Sequence, residues 1–303
     1  MKTTGLQRNV RILILSFVTI LLLASCVAGD GNPGRGPESD QGTLIENIGS
    51  DTIVNLALAW AESYQEIHPE VSISVTGGGS GTGIASLING TADIANASRA
   101  IKPEEIEQAG ANGLNPVEHI IARDAIAVIV HPDNPLKQAT LQELSDIFSG
   151  KVNNWQELGG EDRPIVRVSR ETNSGTHVYF LEEVLRLGNA EDDTLFARDT
   201  LLLPSSEGII AEVSTNPNAI GYDGLGYVTP DVKVLEIAES PGGQYILPSA
   251  DTVNQQVYPI ARDLYMYTAG EPAGDIKGYL DWIFSSGGQS IVLDLGFVPV
   301  VGF

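Results

Sequence analysis

The residue types that could do chemistry gather in two short loops. Thr76-Gly77-Gly78-Gly79-Ser80-Gly81-Thr82-Gly83 joins a strand-like run at 71–75 to a helix-like run at 84–88. Glycines allow positive φ and close backbone approach, and the first turn of a following helix presents unpaired N–H groups at the positive end of its dipole. Ser80 and Thr82 add hydroxyl donors beside those amides. Much later, Arg170-Glu171-Thr172-Asn173-Ser174-Gly175-Thr176 repeats the pattern between a strand-like run at 165–169 and a helix-like run at 177–187. Its guanidinium could meet two oxygens of one oxyanion at once. Two such loops imply one tetrahedral anion held from two sides. Gly49-Ser50-Asp51-Thr52, before the amphipathic run 53–64, reads both as a helix N-cap and as a donor cluster, with capping favoured for the stretch alone.

Catalytic chemistry fits these residues poorly. The first loop lacks the Lys-Ser/Thr ending of a Walker A motif and does not satisfy G-x-G-x-x-G. Thr82 stands where a G-x-S-x-G elbow around Ser80 needs glycine. Of His68, His119, His131 and His177 only the last adjoins a motif, where it reads as a first-turn helix residue. No histidine pair has the spacing of a zinc helix, and one cysteine makes no thiolate site, so neither metal nor cofactor is expected. Trp60, Trp155, Trp282, Tyr64, Tyr222 and Tyr265 lie in apolar surroundings and read as packing rather than a sugar platform.

The elements that must position the loops alternate. Strands are expected at 42–48, 71–75, 94–97, 165–169 and 219–222, and helices at 53–68, 84–89, 103–111, 177–187, 208–215, 278–285 and around 288–294, with a further segment at 141–148 in the second lobe. Two apolar stretches, 120–130 and 257–267, are interrupted by Arg123-Asp124 and Arg262-Asp263. These read as two crossings between lobes. The expected architecture is α/β with a two-lobed, periplasmic-binding-protein-like fold of type II. Residues 42–122 and 260–303 form one lobe, 123–259 the other, and a two-strand hinge joins them.

Residues 1–25 carry Lys2, Arg8 and Arg11, an apolar run at 12–23, then Leu23-Ala24-Ser25-Cys26. That is a lipoprotein signal peptide with a lipobox, the apolar run being too short to span a bilayer. Cys26, the only cysteine, would carry a thioether-linked lipid and tether the protein to the membrane. Residues 26–41, rich in Gly, Pro and charge, form a disordered leash. Net charge is −22, and removal of three basic and no acidic groups with residues 1–25 leaves −25. Such a surface excludes nucleic acid as a partner and opposes anions at long range. Affinity for an anion must come from short-range donors in the cleft.

The chain after residue 42 resembles the phosphate-binding proteins that serve bacterial ABC phosphate importers. The resemblance runs through GSDT at 49–52, GGGSGTG at 77–83, DIANASR at 93–99, DIFSGKVNNW at 146–155, RETNSGT at 170–176 and AIGYDG at 219–224. It implies a monomeric extracytoplasmic receptor that closes on one inorganic phosphate and delivers it to ABC permease subunits. The implied ligand set is Ser50, Asp51, Thr52, Ser80, Gly81, Thr82, Ser98, Arg99, Arg170, Ser174, Gly175 and Thr176. Many members of the family place an aspartate where this chain has Arg99, and that carboxylate accepts the phosphate proton. Asp51 is the substitute, able to accept that proton and to pair with Arg99. A same-fold receptor for sulfate, molybdate or tungstate is the alternative, and a phosphoester hydrolase using a loop serine is a third.

Overall fold

The computed structural model describes residues 42–300, and residues 1–41, which hold the expected signal peptide, Cys26 and the leash, lie outside it. Three parallel strands open the fold: β1 (Thr43–Gly49), β2 (Val71–Thr76) and β3 (Ile94–Ala97). They are connected by α1 (Asp51–Ile67) and α2 (Ser80–Ile88), and α3 (Pro103–Ala111) follows β3. Next comes β4 (Val117–Val130), 14 residues long. Its N-terminal part pairs antiparallel with β11 (Ala261–Thr268), and its C-terminal part with β8 (Ala219–Gly224). Between these lie β5 (Gln138–Thr140), α4 (Leu141–Phe148), β6 (Val166–Arg170), α5 (Gly175–Phe180), β7 (Leu201–Leu203) and α6 (Ser206–Thr215). After β8 come β9 (Lys233–Val234), β10 (Glu236–Ala238) and α7 (Ala250–Asn254), and after β11 come α8 (Gly274–Ile283) and α9 (Ser286–Asp294).

The main sheet runs β2-β1-β3-β11-β4-β8-β6-β7. Two parallel trios are thus joined through the antiparallel pair β11 and β4, because the chain crosses from one trio to the other and back on those strands. In parallel sheets the loops that follow the strands converge at one end, where ligands bind. Here those are the loops after β1, β2, β3 and β6.

Apolar periodicity set most elements correctly. The helix at 103–111 and the strand at 94–97 fall where the pattern puts them, and the segment 141–148 is the helix α4. The last of these helices is held by a reciprocal cap in which Glu143 N donates to Thr140 Oγ1 at 3.2 Å and Thr140 N to Glu143 Oε2 at 2.7 Å. Departures have physical causes. Helix α2 begins at Ser80 rather than 84, because its first turn is built of hydroxyl and glycine residues and so shows no apolar signal. The helix expected over 177–187 is α5 followed by a π turn at Leu181–Leu185, which keeps Val184 and Leu185 buried. Strand β11 starts at Ala261, after Pro259, which has no N–H for a ladder.

One core packs Trp60, Leu56 and Ile53 of α1 against Ile45, Ile121, Leu264 and Tyr279 and continues to Ile209 and Val213 of α6. Another surrounds Phe148, Phe180, Tyr222 and Trp155, with the Phe180 and Tyr222 rings stacked at 3.6 Å. Trp60 Nε1 donates to Gly288 O at 2.7 Å and Trp155 Nε1 to Asn218 O at 3.0 Å, so both indoles serve packing, as their apolar context implied. No helix among the described residues is long and apolar enough to cross a membrane.

Candidate functional site

The C-terminal ends of β1, β2 and β3 face the C-terminal end of β6 across a narrow cleft. Ser50 occupies the N-cap position of α1, yet its side chain caps nothing. Its hydroxyl donates to Ser98 Oγ at 2.9 Å. Asp51, the first helical residue, is not the cap either. Its carboxylate accepts from Gly78 N at 3.1 Å and, across the cleft, from Arg170 Nη2 at 2.8 Å. The capping role expected for this stretch therefore gives way to tertiary contacts, because a buried guanidinium is a stronger partner than a local amide.

Ser80 and Ser98 are fully buried; Ser98 N donates to Ser80 Oγ at 3.0 Å, and the two hydroxyl oxygens lie 3.3 Å apart. Gly79 takes φ 94°, a left-handed conformation that favours glycine, and would place any Cβ 2.8 Å from Asn173 O. The two glycine loops clasp each other directly. Gly81 N donates to Asn173 O at 3.1 Å, and Asn173 Nδ2 donates to Gly78 O at 2.8 Å. Thr82 points away, its hydroxyl donating to Gly78 O at 2.6 Å on the exposed side.

From the opposite side, Arg170 is 1% exposed. Besides Asp51 it donates to Ser206 Oγ and to Pro204 O, both at 2.8 Å, and its Nη1 lies 3.7 Å from Asp223. Its Nε has no partner among the described residues. Ser174 caps α5 by accepting from Thr176 N at 3.2 Å. Thr176 Oγ1 lies 2.8 Å from Thr52 Oγ1, so hydroxyls from the two sides touch. Gly175 packs so closely on Ser80 and Ser98 that a Cβ there would stand 2.3 Å and 2.6 Å from their oxygens.

Arg99 does not pair with Asp51. Its two terminal nitrogens donate to Glu105 at 2.8 Å and 2.7 Å, and Nη1 also to Ala100 O. Glu105 lies in the first turn of α3 and also accepts from Lys102 N, so the local acceptor outcompetes the distant one. That ion pair, with the Lys102 amide, holds the Glu105 carboxyl below its ordinary value against the opposing effect of burial.

Several residues at the site carry no local signal of a binding role. Arg262, which the sequence marks only as a crossing between lobes, reaches Thr176, Ser98 and Asp124 with its guanidinium. Asp124 and Asp223 are both buried; desolvation pushes their carboxyls up, opposed by Arg262 and Arg170 respectively. Asp223 Oδ1 accepts from Ser206 Oγ at 3.0 Å and from Gly224 N at 2.7 Å. The signal available was the charge itself: an Arg-Asp pair inside each of two apolar strands must be partnered to be buried.

His177 sits beside Ser169, with Nδ1 3.1 Å from Ser169 Oγ and 3.0 Å from Arg170 O. A carbonyl oxygen only accepts, so Nδ1 carries the proton and cannot serve Ser169 as a base. Burial lowers the imidazole's pKa and keeps it neutral. Ser169 instead bonds Tyr222, oxygen to oxygen, at 2.6 Å.

Two α/β lobes bridged by paired strands, with donors facing each other across the cleft between them, define a two-lobed solute-binding protein. Residues 35–286 match the sequence model of the PBP superfamily domain. Over 97% of its length the chain is 34% identical to the phosphate-binding protein PstS of Bacillus subtilis, of which 95% is covered. It is 32% identical to PstS of Pseudomonas aeruginosa, with 84% of this chain and 83% of the relative covered. A Clostridium perfringens protein solved with bound phosphate, and assigned to a phosphate ABC transporter as its substrate-binding protein, superposes with a TM-score of 0.77 at 33% identity, covering 86% of this chain and all of that one. An ABC-type phosphate transport receptor from Vibrio cholerae superposes with a TM-score of 0.68 at 27% identity, over 84% of this chain and 99% of that one. The chain belongs to the PBP superfamily and, within it, to the PstS family of phosphate-binding proteins.

Proposed function

We propose that this protein is an extracytoplasmic receptor that binds inorganic phosphate in the cleft between its lobes and delivers it to the permease subunits of an ABC importer. One observation carries the reading: Ser50, Thr52, Ser80 and Ser98 converge from one side on Arg170 and Thr176 from the other. The phosphate-binding relatives support the choice of anion. Lobes made of 42–122 with 260–303, and of 123–259, swing about β4 and β11 and close on the ligand. Ser174 and Gly175 bring the second loop against the first. Gly81 and Thr82 shape the rim, and Arg99, tied to Glu105, braces the chain beside Ser98. The protein acts as a monomer, without cofactor, held at the membrane by lipid on Cys26 and the leash after it.

A net charge of −25 without residues 1–25 does not forbid this. Each hydrogen bond to a charged ligand contributes about 1.5–3 kcal/mol, while salt screens the repulsive field beyond ~8 Å. Isothermal calorimetry of the purified protein should show one phosphate bound per chain. Silence in both calorimetry and thermal shift at millimolar phosphate would remove the reading. Turnover of a generic phosphoester is not expected, because the imidazole beside Ser169 is a donor there.

Selectivity is the finer part of the proposal. With Arg99 engaged by Glu105, Asp51 is the carboxylate at the anion's side of Arg170, and it accepts the proton that phosphate keeps and sulfate lacks. Asp51→Asn exchanges part of that acceptor for a donor amide. The phosphate-to-sulfate affinity ratio should then fall about tenfold or more, since a lost hydrogen bond and a lost repulsion act in the same direction. An unchanged ratio would leave Asp51 as a partner of Arg170 only.

A further inference from the structure

We propose that Arg262 is the fixed base of the anion site and the positioning residue that aims the Thr52 and Thr176 hydroxyls at the ligand. The inference rests on the phosphate reading above. Arg262 stands on β11 directly opposite Asp124 on β4, the two strands on which the lobes join. Asp124 Oδ2 accepts from Nη2 at 2.9 Å and from Nε at 3.3 Å, while Leu225 N occupies Oδ1. Both partners are buried, and the guanidinium lies 5.6 Å from the centre of the Tyr179 ring. Tyr179 is itself pinned, its hydroxyl donating to Ala261 O at 2.7 Å. The guanidinium therefore belongs to the hinge strands, which move least when the lobes swing.

From that base it reaches both lobes. Nη1 donates to Ser98 O at 2.9 Å, fixing the chain that carries the Ser98 hydroxyl. Nη2 donates to Thr176 Oγ1 at 3.0 Å and lies 3.5 Å from Thr52 Oγ1. A guanidinium has only donors, so a hydroxyl that faces it must accept and keeps its own proton for another partner. With Arg262 behind both threonines, their two protons point away from it. One bridges the 2.8 Å contact between the hydroxyls, and both are available when an anion enters. Were Arg262 removed alone, the Asp124 carboxylate would be the nearby acceptor for those protons. The hydroxyls would then turn their lone pairs toward the ligand and repel it.

Calorimetry with inorganic phosphate on five proteins tests this: the parent, Arg262→Lys, Arg262→Met with Asp124→Leu, Thr176→Val, and Arg262→Lys with Thr176→Val. The Met/Leu pair removes both buried charges together, which apolar groups of similar volume tolerate. It should fold and bind about 100-fold more weakly than the parent, and Arg262→Lys about tenfold more weakly, since an ammonium cannot span the same partners. Thr176→Val should cost about tenfold in the parent and less than about twofold beside Arg262→Lys, because the hydroxyl is no longer aimed. A purely structural arginine would leave the cost of Thr176→Val the same in both backgrounds, and that result overturns the proposal. So does phosphate affinity in Arg262→Lys within about threefold of the parent. If the Met/Leu protein does not fold, the Lys variant and the threonine cycle decide. A parent that binds no phosphate removes the phosphate reading and this inference together, whereas a parent that binds while the cycle shows no coupling removes this inference alone.

Discussion

Gly175→Ala should abolish tight phosphate binding while leaving the folded protein as stable as before. The added Cβ would stand 2.3 Å from Ser80 Oγ and 2.6 Å from Ser98 Oγ. Those oxygens cannot retreat, because Ser80 Oγ holds the Ser98 amide and both side chains are fully buried. Forcing a methyl into such a contact costs about 1–3 kcal/mol, a loss in affinity of roughly 5- to 150-fold, and it is felt only when the lobes meet. Gly175 is the first residue of α5 and is not among the positive-φ glycines, so alanine suits its backbone and slightly favours the helix. Scattering should show that phosphate reduces the radius of gyration of the parent but not of the variant. Parent-like affinity in Gly175→Ala would mean that the two loops do not close on each other around the ligand.

Arg170→Ala should lose binding more completely, by about 100-fold or more, because a desolvated guanidinium able to fork onto two oxygens has no substitute in the second loop. Stability should fall as well. Asp223, fully buried and 3.7 Å from Arg170, would be left with Ser206 and Gly224 as hydrogen-bond partners and only the weaker influence of Arg262 as a cation. Leaving one member of a buried pair uncompensated costs about 3–5 kcal/mol. The Asp223 carboxyl, already raised by burial, would rise further without Arg170. A carboxyl with a raised folded-state pKa favours folding at low pH. The variant's stability should therefore decline as pH climbs from the ordinary carboxyl range through that raised value. Pairing Arg170→Met with Asp223→Asn should restore the melting temperature without restoring phosphate binding. Recovery of both would show that Arg170 acts through the fold and not on the anion.

How far the sequence reaches is visible in particular residues. Ser80 and Arg170 could be singled out because the signals are local: glycines that free the backbone, a strand before, a helix after; Ser98 stands out only through the resemblance to the phosphate-binding family. The alternation of strand and helix likewise follows from periodicity over a few residues, which is why β3 and α3 fall where the pattern puts them. What each polar group bonds to is not local. Asp51 reads in the sequence as a proton acceptor and partner of Arg99, with helix capping the plainer alternative, and only the approach of Arg170, 119 positions along the chain, makes it one arm of an ion pair across the cleft. Arg99 was assigned to Asp51 and instead folds back on Glu105.

Arg262 marks the boundary most plainly. Its sequence neighbourhood, an apolar strand, announces only that a charge must be buried. The antiparallel register that sets it opposite Asp124, and the crossing that brings Thr52 and Thr176 to the same guanidinium, depend on how the two lobes are threaded through β4 and β11. The sequence by itself determined most of the longer elements, the donor-rich loops and the class of ligand, because propensity, periodicity and side-chain chemistry act within a few residues. Tertiary structure alone decided which donors face one another and where the balancing carboxylates sit, because desolvation and hydrogen-bond direction exist only once distant segments have met.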